Sequence, residues 1–293
     1  MVTQALDIRT FDEMTANDAV AVINAYTANW PYTRAINNGL LAHWRSQGER
    51  YQPRHMLIAY ADGQPQAFLH GERAGKVHFI NVLAMCPGAV DAATVLLQHM
   101  EMQARAEGMQ RLVSPCWRAN AFYGGYLCGC EPYHPHWAID GTEAYVRAGF
   151  HISHPAVILI RDMAQPVAIG ALPEGYLLSE AETGEEYEAA AFRYVAMHDG
   201  VEAATCTARL YPQLLSPHGG AVGQLGFVGT NEAHRGKGLA KVLVNHSLQR
   251  LTDMGAAETL IATGLENYPA LRAYEACGFR RRYNINEWSK YLS

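Results

Sequence analysis

The feature that most constrains this chain is a pattern that occurs twice. In the first half, an apolar helical segment, VLLQHMEMQARAEGMQRL (residues 95–112), leads on to EAYVRAGF (residues 143–150). In the second half, VLVNHSLQRLTDMGAAETL (residues 242–260) leads on to RAYEACGF (residues 272–279). The repeat length of about 130 to 150 residues is that of an ordinary domain, which indicates an internal duplication. We therefore expect two related domains.

Periodicity and turn residues predict a similar order of elements in both halves, with helices alternating with strands after an early run of strands. That order predicts a mixed α/β fold in which each domain is a mixed sheet flanked by helices. We place the first domain at residues 1–163, a linker containing Pro and Gly at 164–175, and the second domain at 176–293. The second domain is expected to open with a helix at residues 183–190.

Composition excludes several classes of protein. The chain has 293 residues, a net charge of -5 and no run rich in Lys or Arg, so neither nucleic acid nor a membrane surface is an expected partner. The longest apolar run is too short to cross a bilayer, and the first residues do not resemble a signal peptide. The six scattered cysteines fit reduced thiols, so a cytoplasmic location is expected.

A short polar loop in the second half carries the clearest chemical signal. The strand-like run GQLGFVGT (residues 223–230) is followed by NEAHRGKG and then by an apolar helix. Gly236 and Gly238 allow a ligand to approach the backbone, and basic side chains add positive charge beside the helix N-terminus. This combination predicts a phosphate or pyrophosphate site, and a basic first turn with a packing glycine is the alternative. The spacing fits neither a Walker loop nor a dinucleotide fingerprint.

The same loop resembles that of a known family. Residues 235–240, RGKGLA, resemble the R/Q-x-x-G-x-G/A motif of the GCN5-related N-acetyltransferase (GNAT) superfamily. Downstream, Asn267, then AYE at 273–275 and CGF at 277–279, resemble the second signature of these enzymes. The duplicated halves are similar to the tandem GNAT proteins, a group that includes mycothiol synthase. The resemblance implies an acyltransferase that moves an acetyl group to an amine.

The resemblance also implies acetyl-CoA as the co-substrate and assigns it to positions of this chain. In the family, the strand before the loop pairs its backbone with the pantetheine arm, the loop binds the pyrophosphate, and a downstream asparagine hydrogen-bonds the cofactor. The matching positions are Val228, Gly229 and Thr230 on the strand, Arg235, Gly236, Lys237, Gly238, Leu239, Ala240 and Lys241 in the loop and helix, and Asn267. No metal is expected.

The mechanism of the family implies a tyrosine that protonates the departing thiolate. Tyr274 takes that position and is the expected catalytic acid, since a phenol is protonated at neutral pH; a core tyrosine is the alternative. Histone acetyltransferases of this superfamily carry a glutamate as general base where this chain has Gln224, and an amide cannot take a proton at neutral pH. Three alternatives stay open: Glu266 or Glu232 is the general base, a chain of waters removes the proton, or the amine arrives already neutral.

The first half departs from the motif. Its counterpart loop lies in AMCPGAVDAATVLL (residues 84–97), which carries no basic residue, and Asp91 near the helix start would oppose a pyrophosphate. Tyr145 stands at the same distance from a Gly-Phe pair as Tyr274 does. We interpret residues 1–163 as a degenerate copy that shapes the substrate cleft, and binding of a second CoA stays open.

The first half also has about eighteen additional residues between its long helix and its Gly-Phe pair. This aromatic stretch contains Cys128-x-Cys130 and His134-x-His136, which suggest zinc by residue type. Cys-x-Cys is not the usual spacing of zinc ligands, and prolines restrict the segment. We therefore expect an ordinary packed loop or lid without a metal.

Three functions agree with these observations. The favoured one is an acetyl-CoA-dependent N-acetyltransferase that acts on the primary amine of a small molecule. The alternatives are a peptide or protein N-acetyltransferase and a non-catalytic protein that senses acyl-CoA. Acceptor pockets in such folds are built from variable loops, so the sequence does not identify the amine, and it leaves open whether the chain forms a homodimer.

Overall fold

The computed structural model describes residues 5–12, 15–115, 117–123, 133–186 and 189–292. The chain divides into two compact units. Unit 1 comprises residues 1–155 together with 284–293, and unit 2 comprises residues 156–283. Among the described residues, no helix has both the length and the apolar character needed to cross a membrane.

Unit 1 is a mixed sheet with helices. Its elements are β1 (Asp7–Thr10), α1 (Ala16–Thr27), α2 (Asn38–Ser46), β2 (Met56–Ala61), β3 (Gln64–Ala74), β4 (Val77–Met85), α3 (Val90–Ala106), β5 (Arg111–Ser114), α4 (Asn120–Tyr123), β6 (His134–Pro135) and α5 (Ile139–Arg147). Strands β1 to β4 pair antiparallel in chain order, and β4 pairs parallel with β5.

Unit 2 has the same class of architecture. Its elements are β7 (His151–Asp162, which enters this unit at Ala156), β8 (Tyr176–Glu186), β9 (Ala189–His198), β10 (Val201–Leu215), β11 (Ala221–Thr230), α6 (Leu239–Asp253), β12 (Ala256–Gly264) and α7 (Tyr268–Glu275). The sheet order is β7-β12-β11-β10-β9-β8, in which only the β11–β12 pair is parallel among the described pairings. The prediction of mixed α/β domains, each a sheet flanked by helices, is confirmed.

The last strand of the chain completes the sheet of unit 1. This strand, β13 (Arg280–Tyr291), begins in unit 2 and enters unit 1 at Asn284. It pairs antiparallel with β5 from Trp288 to Tyr291, and with the short strand β6 at Ile285 and Asn286. A segment remote in sequence therefore closes a sheet that the first 114 residues begin.

The compact units differ from the predicted domain ranges at two places. Residues 156–162 pair with β12 of unit 2, and residues 284–291 lie in the sheet of unit 1. The predicted linker, 164–175, connects β7 to β8 within unit 2, where Arg161 donates hydrogen bonds to the carbonyl oxygens of Gln165 and Pro166. That the chain consists of two successive inherited copies joined at residues 164–175 stays a prediction.

One predicted helix is wrong. Residues 183–186 belong to strand β8 and residues 189–190 to strand β9, where a helix over 183–190 was expected. The two strands pair antiparallel with Glu185 opposite Ala190. Because the hairpin satisfies the backbone groups of this segment within the sheet, tertiary pairing overrides its local helix propensity.

Each unit has its own apolar core. In unit 1, α3 packs against the sheet, and the buried rings of Tyr145 and Trp288 stack with centroids 5.4 Å apart. In unit 2, α6 packs against the sheet together with Tyr274 and Phe279 of the second repeat. Both copies of the repeated motif therefore place an aromatic residue of a short helix in a core.

Replacement of Trp288 by Ala should destabilise unit 1. The side chain is only 4% exposed, so the substitution leaves a cavity, and we expect the free energy of unfolding to fall by about 3–5 kcal/mol. Tyr291→Ala on the same strand is the control, because Tyr291 is 68% exposed and its loss should cost about 0.5 kcal/mol or less. Urea unfolding followed by circular dichroism measures both; equal losses would contradict the assigned burial.

Candidate functional site

The site in unit 2 begins where two parallel strands part. Strand β11 pairs with β10 along its length to Thr230, but its pairing with β12 ends at Gln224 and Leu260 among the described residues. A register shift lies opposite Cys206 and Ala208, where β11 has one more residue than β10. Such a bulge bends and twists its strand, so the edge of β11 beyond Gln224 is left open.

A groove of about 800 Å³ lies along this open edge. One side is the end of β11, one end is the loop before α6, and the other side is α7. The size is that of a ligand site. The predicted residues that line it are Val228, Gly229, Thr230, Arg235, Gly236, Gly238, Leu239, Ala240, Lys241, Asn267 and Tyr274. Their roles toward a ligand stay predictions.

The N-terminus of α6 is suited to an anion. Gly236 and Gly238 have φ values of 76° and 77°, a region that side chains rarely adopt, and a Cβ built on either would meet no described atom within 4 Å. Gly238 is the N-cap residue, and among the described residues no side chain caps the helix and no acidic residue lies in its first turn. The free N–H groups and the helix dipole therefore face open space.

Of the three predicted Lys and Arg residues of the loop and the start of α6, two border the groove. Arg235 and Lys241 line it, and the Arg235 Nε donates a hydrogen bond to the Thr230 carbonyl oxygen at 3.3 Å. The Lys237 side chain turns elsewhere, since its Nζ donates to the Tyr176 hydroxyl at 2.8 Å and lies 5.4 Å from the centre of that ring. The side chain of Lys237 thus anchors the loop, whereas Arg235 and Lys241 supply the charge at the groove.

Tyr176, which accepts the hydrogen bond from Lys237, was not among the residues predicted from the sequence. Tyr176, the first residue of β8, also pairs its hydroxyl with Nδ1 of His234 at 2.8 Å. Its ring is 9% exposed and packs against His198 with centroids 4.6 Å apart. Tyr176 therefore holds the loop from a strand about sixty positions earlier, which no short motif could reveal.

Helix α7 supplies the opposite side of the groove. Asn267 is its N-cap, with Oδ1 accepting from the Ala270 N–H at 3.4 Å and Nδ2 donating to Thr263 Oγ1 at 3.1 Å. Two turns later Tyr274 reaches the groove with 6% of its surface exposed, and its ring packs edge-on to Phe279 at 6.2 Å. Tyr274 is thus both a core residue and a groove residue, so the two readings of its role do not exclude each other.

The structure does not place a general base at the position of Gln224. Its side chain is 4% exposed, and its Oε1 accepts from the Tyr211 hydroxyl at 3.4 Å. Glu232 and Glu266 are exposed and lie outside the groove lining in the described structure. The carboxylate that does line the groove is that of Glu202, which pairs with Arg193 at 3.3 Å and was not singled out by sequence.

The counterpart positions in unit 1 are built differently. The N–H of Gly88 donates to a carboxylate oxygen of Asp140 at 2.9 Å, and Asp91 in the first turn of α3 pairs with Arg147 at 2.8 Å. Tyr145 is 1% exposed and shares a 2.5 Å hydrogen bond with Ser114. Burial raises the pKa of the Tyr145 phenol well above its usual value, although the bond with Ser114 opposes the shift. Carboxylates of the chain itself thus occupy the surroundings of this loop.

The cysteine and histidine pattern gains no support as a metal site. Cys128 and Cys130 lie outside the described residues. His134 is buried and bonds through Nε2 to the Ala138 carbonyl oxygen at 3.1 Å, and burial lowers the pKa of His134 to about 4. His136 bonds through Nδ1 to the carbonyl oxygen of Asn284 at 3.0 Å. Both imidazoles therefore already have partners within the fold.

Comparison with known proteins agrees with the geometry of unit 2. Residues 160–279 match the model of the acetyltransferase (GNAT) family. A mycothiol acetyltransferase of Corynebacterium aurimucosum is 36% identical over 70 residues, which cover 24% of this chain and 23% of the relative. N-alpha-acetyltransferase 30 of Saccharomyces cerevisiae is 34% identical over 70 residues, which cover 22% of this chain and 40% of the relative. The chain thus spans less than half the length of either relative.

A solved structure matches over the whole chain. It is a tandem GNAT protein from the clavulanic acid biosynthesis pathway, solved without acetyl-CoA, with a TM-score of 0.72 and 15% identity over 98% of both chains. At that identity the likeness shows the fold alone, and it covers both units. Residues 160–279 therefore match the GNAT acetyltransferase family, in agreement with the resemblance of the two motifs.

Proposed function

We propose that the protein is an acetyl-CoA-dependent N-acetyltransferase that moves an acetyl group to the primary amine of a small molecule. The observation that carries this proposal is a single groove with an uncapped, glycine-lined helix N-terminus at one end and Tyr274 farther along it. An anionic group fits the first feature, and a proton donor for a leaving thiolate fits the second. The open edge of β11 lies between them.

The cofactor fits this groove by the chemistry of its parts. The pyrophosphate would lie on the N–H groups of residues 236–241 beside Arg235 and Lys241. The amides of the pantetheine arm would pair with the unpaired backbone edge at Val228–Thr230, as an added strand does. The Asn267 amide, which also lines the groove, would bond the same arm from α7.

The residues of the groove would then assist a direct transfer. The amine nitrogen forms a bond to the thioester carbonyl carbon, and the carbon–sulfur bond breaks to release CoA. A backbone N–H near Val228 would stabilise the negative charge that develops on the carbonyl oxygen, an effect usually worth about 3 kcal/mol. The Tyr274 hydroxyl would donate its proton to the departing thiolate and regain one from the amine through solvent. The base stays unassigned.

Burial of two thiols argues against an acetylated enzyme as intermediate. Burial raises the pKa of Cys206 to about 12 and that of Cys277 to about 11, although Ser247 opposes the first shift and Lys241 the second. Only the thiolate is a strong nucleophile. Neither of these thiols can therefore accept the acetyl group efficiently at neutral pH, which favours attack by the amine itself.

The named relatives include both acceptor classes. Mycothiol acetyltransferase and the protein of the clavulanic acid pathway point to small molecules, whereas N-alpha-acetyltransferase 30 points to a peptide N-terminus. One of the structures that match over both units is the protein of the clavulanic acid pathway, and we therefore favour a small amine. A protein that only senses acyl-CoA would be consistent with the lack of a carboxylate at Gln224. That alternative, however, assigns no function to Tyr274.

We further propose that unit 2 alone holds acetyl-CoA. The loop of unit 1 presents Asp140 and Asp91 where a pyrophosphate would need donors, and Tyr145 is sealed in the core. Like charges at a helix N-terminus would repel the phosphates. The first repeat is in this view a GNAT fold that has lost its cofactor site.

Calorimetric titration of acetyl-CoA tests the cofactor site. We expect one equivalent to bind per chain, and Gly238→Asp to weaken binding by more than about tenfold because its carboxylate would crowd and repel the pyrophosphate. Gly88→Asp is the matched control, since Gly88 has a similar φ of 79° and equally open space at the counterpart loop of unit 1. Two equivalents per chain would contradict the proposal that unit 1 does not bind acetyl-CoA. No binding would contradict the proposal that the protein is an acetyl-CoA-dependent enzyme.

A substitution of Tyr274 tests the catalytic acid. Tyr274→Phe should lower kcat by about 100-fold or more and leave the Kd of acetyl-CoA unchanged, because only the proton donor is lost. Tyr145→Phe is its counterpart in unit 1 and should keep the wild-type rate. A loss of less than about threefold in Tyr274→Phe, which is under 1 kcal/mol, would make Tyr274 a core residue only.

A panel of acceptors tests the substrate class. Amino sugars, polyamines and amino-acid amines are compared with peptides that carry free N-termini or lysines, and release of CoA is followed with a thiol reagent. We expect kcat/KM to be highest for a small amine, since one structure that matches over the full chain is a protein of the clavulanic acid biosynthesis pathway. Preference for a peptide would establish the alternative. Tight acetyl-CoA binding without transfer to any acceptor would favour the sensor.

A further inference from the structure

Three metal-ligating side chains meet in unit 1, away from the repeated motif. His55 lies at the end of the short 3-10 helix Pro53–His55, His78 lies in β4, and Glu107 follows α3 as its C-cap. One ligand atom from each lies within 4.8 Å of the other two, and in the described part of the chain no other such group of three occurs. The sequence separates these residues by more than twenty positions each, so no motif marks them.

The two imidazoles lack the hydrogen bonds that buried polar groups require. His55 is 1% and His78 0% exposed. Nε2 of His55 bonds to a Glu107 carboxylate oxygen at 2.9 Å, but its Nδ1 and both ring nitrogens of His78 have no hydrogen-bond partner in the described structure. Buried polar atoms without partners are rare and costly. Three such atoms in one cluster indicate that a bound group from outside the chain interacts with them.

The backbone makes room for these rings. A Cβ at Gly71 would lie 2.8 Å from Nε2 of His78 and 2.8 Å from the carbonyl oxygen of His55. The rings themselves meet edge to face with centroids 4.6 Å apart. An apolar side chain at position 78 would fill this space without leaving unpaired nitrogens. Gly71 and His78 together therefore indicate a binding site rather than ordinary core packing.

The three side chains are of the types that bind metal ions. Burial lowers the pKa of His78 to about 3, and the neighbouring His55 adds to the shift, so the imidazole is neutral and keeps a lone pair. Burial alone would raise the pKa of Glu107, but the hydrogen bond with His55 and the nearby charges of His55, Arg54 and His78 together outweigh burial and lower that pKa. A carboxylate with two imidazoles is a donor set that divalent transition metals prefer.

We propose that His55, His78 and Glu107 bind a divalent transition-metal ion of the zinc class. Two ligands of a tetrahedral zinc ion lie about 3.3 Å apart, close to the 2.9 Å between His55 Nε2 and Glu107 Oε1. Glu107 is partly exposed, so the ion can enter from its side, and water completes the coordination. The ion would join the start of β2, strand β4 and the end of α3, and it would stabilise unit 1 independently of acetyl transfer.

The test is a calorimetric titration of zinc chloride into the full-length protein after treatment with a chelator. We expect one ion per chain with a micromolar or lower Kd, and at least about tenfold weaker binding by Glu107→Gln. Glu101→Gln on the same helix is the matched control and should bind as the wild type does. The thermal unfolding midpoint should rise with zinc in the wild type and the control but not in Glu107→Gln.

Two results of the zinc titration would overturn the assignment. One is zinc binding that Glu107→Gln leaves unchanged, and the other is no binding by the wild type at millimolar zinc, with circular dichroism verifying that each protein is folded. Cobalt as a probe separates this site from the cysteines, because a site of imidazole and carboxylate gives no thiolate-to-cobalt charge-transfer band. A strong band of that kind would place the metal on cysteine sulfur instead.

Discussion

The candidate site of unit 2 depends on the end of one backbone pairing. Strands β11 and β12 hydrogen-bond from Ala221 to Gln224 and then separate, next to a bulge in β11. If the pairing continued, β12 would occupy the edge along which the groove runs. Because it stops, the last residues of β11 keep backbone donors and acceptors that a bound molecule can use. The groove, the loop of Arg235–Gly238 and the face of α7 all take their positions from this separation.

Electrostatics at a helix N-terminus distinguishes the two copies of the fold. In unit 2 the helix start has glycine as N-cap, no acidic residue in its first turn and no side-chain cap among the described residues. In unit 1 the corresponding loop donates to Asp140, and Asp91 lies in the first turn. In unit 1 carboxylates of the chain itself satisfy the helix dipole, whereas in unit 2 an anion from outside would do so under the proposed function. In the proposed reading, these carboxylates are what prevents unit 1 from binding the cofactor.

Whether the sequence predicted a feature depends on how far apart in the chain the residues that form it lie. The glycine loop, the α6 N-terminus and the placement of Tyr274 on α7 are encoded within about ten residues each, and the structure has those elements. The strand at 183–186, the closure of unit 1 by Asn284–Tyr291, and the contact of Tyr176 with Lys237 depend on partners far away in the chain. The cluster of His55, His78 and Glu107 is of the same kind. Spacing in a single sequence has no access to such pairings.

The absence of a carboxylate at Gln224 also bears on the acceptor in the proposed reaction. Glu202, the groove carboxylate among the described residues, is paired with Arg193. Without a strong base the reactive fraction is the amine that is already neutral. At pH 7 that fraction is about 17% for an α-amine of pKa 7.7 but about 0.04% for a lysine side chain of pKa 10.4. A site of this kind therefore favours acceptors whose amine has a low pKa, as α-amines do, over lysine side chains.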